Sequence, residues 1–166
     1  DWVFLIPAGL DAAETAPLLC AGITTWTPMR SLKDSKEPLQ VGILGMGGLG
    51  HEAIQFAVAF GHTVAVLSHS PSKEPNALRM LRPKGSLALV GLPTKKLEIS
   101  AGLLVANARS IVGSYLANRA DIEEMLAFCA EHKIRAKIQR LPLAKANEGL
   151  QMLRDNTARY RVVLEM

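Results

Sequence analysis

The stretch Val41-Gly42-Ile43-Leu44-Gly45-Met46-Gly47-Gly48-Leu49-Gly50 constrains this chain more than any other part of it. An apolar run leads into glycines at Gly-x-Gly-x-x-Gly spacing, and residues 52–60 continue as a helix-like segment. Strand, glycine turn and helix in that order form the setting in which a pyrophosphate lies against main-chain N–H groups and a helix N-terminus, provided no side chain intervenes. Gly45 permits the sharp turn, Gly47 lets the phosphates approach, and Gly50 lets the helix pack close to the strand. Gly48 and Leu49 complete the candidate cofactor-binding loop. The bland alternative is a purely structural turn.

The end of the next strand narrows the ligand. Residues 63–67 are apolar and β-branched, and read as a second buried strand. NAD enzymes built this way place an Asp or Glu about 20 residues beyond the glycines, on the ribose 2′-hydroxyl. This chain has Ser68-His69-Ser70-Pro71-Ser72-Lys73 there, with no carboxylate before Glu74. Hydroxyls, an imidazole and an ammonium accept a 2′-phosphate that an acid would repel. NADP is therefore favoured over NAD, against the plain reading of a polar loop. The six basic residues between Lys73 and Lys96 otherwise read as solvated surface.

A length of 166 residues and 49% hydrophobic content suit one globular unit with a real core. The net charge of +4 is modest and spread out, so nucleic acid is not the expected partner. Cys20 and Cys129 show neither disulfide nor structural-zinc spacing, which suits a reducing compartment. No apolar run reaches the roughly 20 residues of a membrane helix, and no signal pattern opens the chain. The expectation is a cytoplasmic protein without a membrane partner.

Along the chain, residues 2–6 read as a strand and Asp11 opens a helix with Glu14 as an acidic capping box. Cys20 falls at helical spacing with Ala16, Leu19 and Ile23, as a small core residue would. The helix behind the glycine turn stops at Gly61. Residues 76–83 are the only crossover before a strand at 86–91. A further strand spans 110–115, and Asp121 caps a helix with Ile122, Met125, Leu126 and Cys129 on one face. His132 lies near its end, where it suits the helix dipole. Residues 134–141 read as extended, 144–153 as helical and 160–164 as a closing strand.

Five motifs in order resemble the zinc-dependent medium-chain alcohol dehydrogenases, in particular the branch of cinnamyl-alcohol dehydrogenases and NADPH-dependent aldehyde reductases. They are Ala16-Pro17-Leu18-Leu19-Cys20-Ala21-Gly22-Ile23-Thr24, the glycine turn through His51, Leu89-Val90-Gly91-Leu92-Pro93, Gly113-Ser114-Tyr115, and Arg159-Tyr160-Arg161-Val162-Val163. The resemblance implies an α/β fold: a Rossmann-type doubly wound parallel sheet, shortened, with remnants of the catalytic domain at both ends. The expected division is residues 1–30 as the end of that domain with its connecting helix, 31–133 as the NADP-binding part, and 134–166 as the return.

By the same resemblance Cys20 is the last protein ligand of the catalytic zinc and Thr24 contacts the nicotinamide end. Ser68, His69 and Lys73 form the 2′-phosphate pocket, and Gly91 and Ser114 line the nicotinamide side. The implied reaction is hydride transfer between NADP(H) and an alcohol or aldehyde, with zinc polarising the carbonyl oxygen. The implied partners are that small-molecule substrate and a second copy, since Ser110 to Tyr115 offers a sheet edge for a homodimer.

The departures are expectations too. The family's other zinc ligands come from an N-terminal domain without a counterpart in these residues, and one thiolate cannot hold the metal. Gly50-His51-Glu52 imitates a zinc motif but begins a helix. The short join near residues 73–77 removes two family strands, which predicts a sheet in order 2-1-5-6 with the 86–91 strand docked on the 40–44 strand. The reading is an alcohol dehydrogenase segment with impaired turnover. The alternatives are a noncatalytic NADP-binding module or pseudoenzyme, a zinc-independent quinone-type reductase, and an incomplete or defective product of a longer enzyme.

Overall fold

A computed structural model describes residues 2–67, 73–92 and 96–166, with the backbone alone at 73–76. Residues 2–6 form no strand. They pair with no neighbouring backbone, and Trp2 and Leu5 stand 70% and 93% exposed. Asp11 does open a helix, α1 (Ala12–Thr15), and its carboxylate accepts the Glu14 N–H at 3.0 Å. Pro17 then turns the chain into a 3-10 segment, Ala16–Leu19, before α2 (Ala21–Met29). This break overturns the core reading of Cys20. Leu18 takes the buried place and Cys20, at the junction, is exposed.

The stretch around the glycines folds as its spacing requires. β1 (Gln40–Leu44) runs parallel to β2 (Thr63–Leu67), with Gln40 opposite Thr63 and Leu44 opposite Leu67. Between them lies α3 (Gly50–Ala59), and the chain leaves it through Gly61 at φ +80°. Such a conformation favours glycine, because a Cβ would crowd the following carbonyl. β2 is less buried than its composition suggests: Val66 is 40% exposed, because no described strand lies on the far side of β2.

α4 (Lys73–Met80), β3 (Ser86–Leu89), α5 (Ala101–Val105) and β4 (Ser110–Gly113) follow. β3 and β4 are parallel, with Ser86 opposite Ser110. The expected order 2-1-5-6 is not found. Among the described residues β1 pairs only with β2, and β3 only with β4. Ala77 and Leu78 of α4 are buried with Leu87, and Leu44, Leu89 and Ile111 pack against them. The two strand pairs are thus joined by side chains rather than by a hydrogen-bonded ladder.

α6 (Arg119–Glu131) starts three residues ahead of expectation on that element's cap. Asn118, not Asp121, is the N-cap; its side chain accepts the Asp121 N–H at 3.1 Å, and the Asp121 carboxylate accepts the Asn118 N–H at 3.4 Å. This reciprocal pair is a capping box with Asp in the Glu position. Its buried face is the expected one, Ile122, Met125, Leu126 and Cys129. β5 (Ile138–Pro142), α7 (Ala146–Arg154) and β6 (Arg161–Glu165) close the chain, with β5 and β6 parallel.

The core lies where α2, α3 and α6 meet. Trp26 is fully buried, with its ring centre 5.4 Å from Phe56, 5.5 Å from Phe60 and 5.1 Å from Phe128. Aromatic pairs at such distances add about 0.5–1.5 kcal/mol each beyond their buried area. They fix α3, and with it the glycine turn, against two other helices. Among the described residues no helix is long and apolar enough to cross a membrane.

Candidate cofactor site

The glycine turn leaves the C-terminal end of β1, the end at which parallel sheets bind ligands. Gly45 has φ +94° and its N–H donates to Leu67 O at 2.8 Å, so the turn is tied to the end of β2. A Cβ on Gly50 would run into the Gly45 carbonyl, which makes glycine there a condition of helix-on-strand contact. Gly47 is different. It is exposed, and nothing lies within 4 Å of the place a Cβ would occupy. Packing does not demand glycine at 47, and the space over it is open.

The turn is held from the other end of the sequence. Arg161, the first residue of β6, donates from Nε to Gly48 O at 3.2 Å. The Lys137 N–H donates to His51 Nε2 at 3.1 Å, which leaves the proton of the neutral ring on Nδ1, 3.0 Å from Gly47 O. Tyr160 stacks on the same ring at 4.8 Å. Burial, with help from the charges of Arg161 and Lys137, lowers the His51 pKa against the opposing bond to Gly47. The imidazole is therefore a neutral brace with both nitrogens engaged. It is not a metal ligand, and the 3.8 Å approach of its Nε2 to Glu52 is not an ion pair.

Glu52 is the unusual group. It lies in the first turn of α3, is fully buried, and neither carboxylate oxygen has a hydrogen-bond partner. Burial raises its pKa to about 8, with the charge of Arg161 pulling the other way. A carboxyl in that setting holds its proton at neutral pH. Nothing in the sequence pattern marked Glu52 except its place in a false zinc motif.

The remaining candidates fall into separate groups. Gly91 is exposed just beyond β3. Ser114 follows β4 and its N–H donates to Leu89 O at 3.0 Å, so these two mark the C-terminal ends of the second strand pair. Thr24 sits in α2, where its hydroxyl donates to Cys20 O at 2.6 Å. Ser68 and His69 lie outside the described residues, and Lys73 begins α4. Cys20 is exposed, and among the described residues no three His, Cys, Asp or Glu side chains gather as metal ligands. A catalytic zinc needs three protein ligands and an open position, so the described residues do not fit it. Arg161, His51 and Lys137 were missed because their contacts to the turn span 86 or more positions, or lie along the helix itself. Only the Arg159–Val163 motif pointed to that end of the chain.

Comparison with known proteins places the chain among dehydrogenases. The family model described as zinc-binding dehydrogenase matches residues 74–131. Dehydroprecondylocarpine acetate synthase of Catharanthus roseus is 32% identical over 207 residues, covering 100% of this chain and 57% of the relative. That matched length exceeds the 166 residues of this chain, so the relative carries internal residues that this chain does not. Cinnamyl alcohol dehydrogenase 7 of Oryza sativa subsp. japonica is 32% identical, over 96% of this chain and 53% of its own length. Among solved structures, a cinnamyl alcohol dehydrogenase from Sorghum bicolor superposes with a TM-score of 0.85 at 31% identity, over 96% of this chain and 57% of its own. The enzyme of that class from Helicobacter pylori, solved with NADP(H), gives 0.77 at 27%, over 95% and 56%. The fold is therefore Rossmann-type, with all its described strand pairs parallel.

Proposed function

Because this chain is a relative of the zinc-type alcohol dehydrogenases, spanning a little over half the length of the curated relatives it matches, we propose that it binds NADP on the glycine turn. The observation that carries the reading is the open space over the exposed Gly47, in a turn whose backbone is fixed by the Gly45 bond to Leu67 O, the Arg161 bond to Gly48 O and the His51 ring. The pyrophosphate lies there, over Gly47 and beside the Arg161 side chain that covers Gly48, against the N-terminal N–H groups of α3. Arg161, fixed to Gly48 O, presents its positive charge beside it. Ser68, His69 and Lys73 take the 2′-phosphate, and Gly91, Ser114 and Thr24 border the nicotinamide end. When bound, the cofactor supplies hydride exchange with an alcohol or aldehyde, the activity proposed for the whole protein. No step is assigned to zinc. The exposed Cys20 by itself favours, for these residues alone, cofactor binding without turnover.

Titration of the purified chain with NADP and with NAD tests the reading. NADP should bind roughly ten-fold or more tightly than NAD, the worth of one or two charge-assisted hydrogen bonds. Tighter NAD binding would remove the 2′-phosphate assignment, and no stabilisation by either on thermal unfolding would remove the cofactor site. One variant separates charge from scaffold. Arg161→Met should weaken NADP binding roughly 10- to 100-fold while costing only about 1 kcal/mol of stability for the lost bond to Gly48. An unchanged dissociation constant would place Arg161 outside the site.

A further inference from the structure

We propose that a pyrophosphate-bearing ligand seated on the turn of residues 45–50 binds together with a proton, and that Glu52 holds the proton. The inference rests on the cofactor reading and adds a linkage to it. Glu52 lies in the first turn of α3, the end of the helix turned to the phosphates, and no solvent reaches it. Its two oxygens have no hydrogen-bond donor to satisfy a charge.

The groups around it are few. β1, β2 and α2 contain no charged or titratable residue. On α3 itself the neighbour is His51, held neutral by Gly47 O and the Lys137 N–H. α6 contributes Cys129, whose thiol burial pushes up to about 12, so it carries no charge. β6 contributes Arg161. The segment after α6 contributes Arg135, whose charge acts on Cys129, and Lys137, whose charge acts on His51. Among the described residues the cation acting on Glu52 is Arg161, and the same guanidinium is bonded to the phosphate turn.

An anion over Gly47 competes for the field of Arg161 and adds negative charge at the same helix end. An ionised Glu52 opposes it; a protonated one does not. Linkage is reciprocal, so whatever the ligand adds to proton affinity the proton adds to ligand affinity. In the free chain the carboxyl titrates at about 8. Below about pH 7 it is protonated with or without ligand and affinity is level. As the pH rises past 8 the free chain loses the proton, the ligand must restore it, and affinity falls.

The test is an NADP titration of the chain between pH 7 and 9.5, where phosphate charges no longer change, their second pKa being about 6. Calorimetry in buffers of different ionisation enthalpy counts the protons. Affinity of the unmodified chain should fall roughly five-fold over that range, with net proton uptake near pH 8. Glu52→Gln should bind with a level profile and take up none, and Glu52→Met serves in its place if the amide variant does not unfold cooperatively. Binding without proton uptake, or the same pH profile in chain and variant, overturns the proposal while leaving the cofactor reading intact. Failure of NADP to bind the unmodified chain at every pH overturns both.

Discussion

Glu52→Gln should make the chain more stable, by an amount that grows with pH. The carboxyl has a pKa of 4.5 in an exposed chain and about 8 in the fold. An acid whose folded pKa is raised costs nothing below its unfolded value, because it is protonated in both states. The cost rises between pH 4.5 and pH 8 and then levels off, since the unfolded chain alone gains by ionising. At about 1.4 kcal/mol per unit the plateau is about 5 kcal/mol, and at pH 7 the cost is about 3 kcal/mol. Glutamine keeps the shape and a buried polar group, itself worth a penalty of about 1–3 kcal/mol, but it cannot ionise. Urea unfolding of both forms at pH 5 and pH 9 reads the difference directly. The gap between variant and parent should widen by about 4 kcal/mol over that range. A gap of constant size would mean that Glu52 titrates alike in the folded and unfolded chain, and the buried unpartnered carboxyl would be excluded.

Such a group is expensive to keep in a fold of ordinary stability, where the whole margin is about 5–15 kcal/mol. Natural cores retain charges mainly where a partner or a function requires them. Glu52 has no partner within the described residues, and it sits one residue from the brace that holds the candidate phosphate turn. Stability and ligand affinity therefore draw on one proton at one position. The pH dependence of unfolding and of NADP binding are two readings of the same titration.

The local part of this architecture is legible in the sequence and the non-local part is not. The 40–44 strand, the helix ending at Gly61 and the 63–67 strand follow from period, glycine placement and β-branching, and the structure keeps those bounds. Asn118 is the N-cap where Asp121 is expected, and the two share one capping box. Residues 2–6 have strand composition and form no strand, since a strand exists only through its neighbour. The ladder order failed for a related reason. Sequence counts strands and crossover lengths, but the burial of Leu78 between the strand pairs decides whether backbones or side chains meet.

In the candidate site the glycines were readable, because their absence of side chain is itself the signal. Their bracing by Arg161, Lys137 and Tyr160 was not, because each comes from more than 80 positions away. Cys20 illustrates the opposite error. Its spacing suited a core helix face, and one proline turned that helix into a 3-10 segment that exposes it.

Two glycines three residues apart should respond to the same substitution in opposite ways. Alanine in place of Gly50 adds a methyl that meets the carbonyl of Gly45, a residue whose own N–H is held by Leu67 O. Helix propensity alone would credit the change with about 1 kcal/mol. Overpacking against backbone outweighs it, costing about 3 kcal/mol, which lowers the unfolding midpoint by roughly 10 °C in a domain of this size. Alanine in place of Gly47 meets nothing within 4 Å, and stability should stay within about 0.5 kcal/mol of the parent. Its methyl instead occupies the space assigned to the pyrophosphate, so NADP binding should weaken at least roughly ten-fold, the cost of about one misplaced methyl in a close contact. Thermal unfolding and NADP titration of both variants resolve the two roles. Gly47→Ala binding NADP as tightly as the parent would mean that the opening over the turn is not where the phosphates lie. Loss of stability in that variant would mean that position 47 serves the fold, as position 50 does.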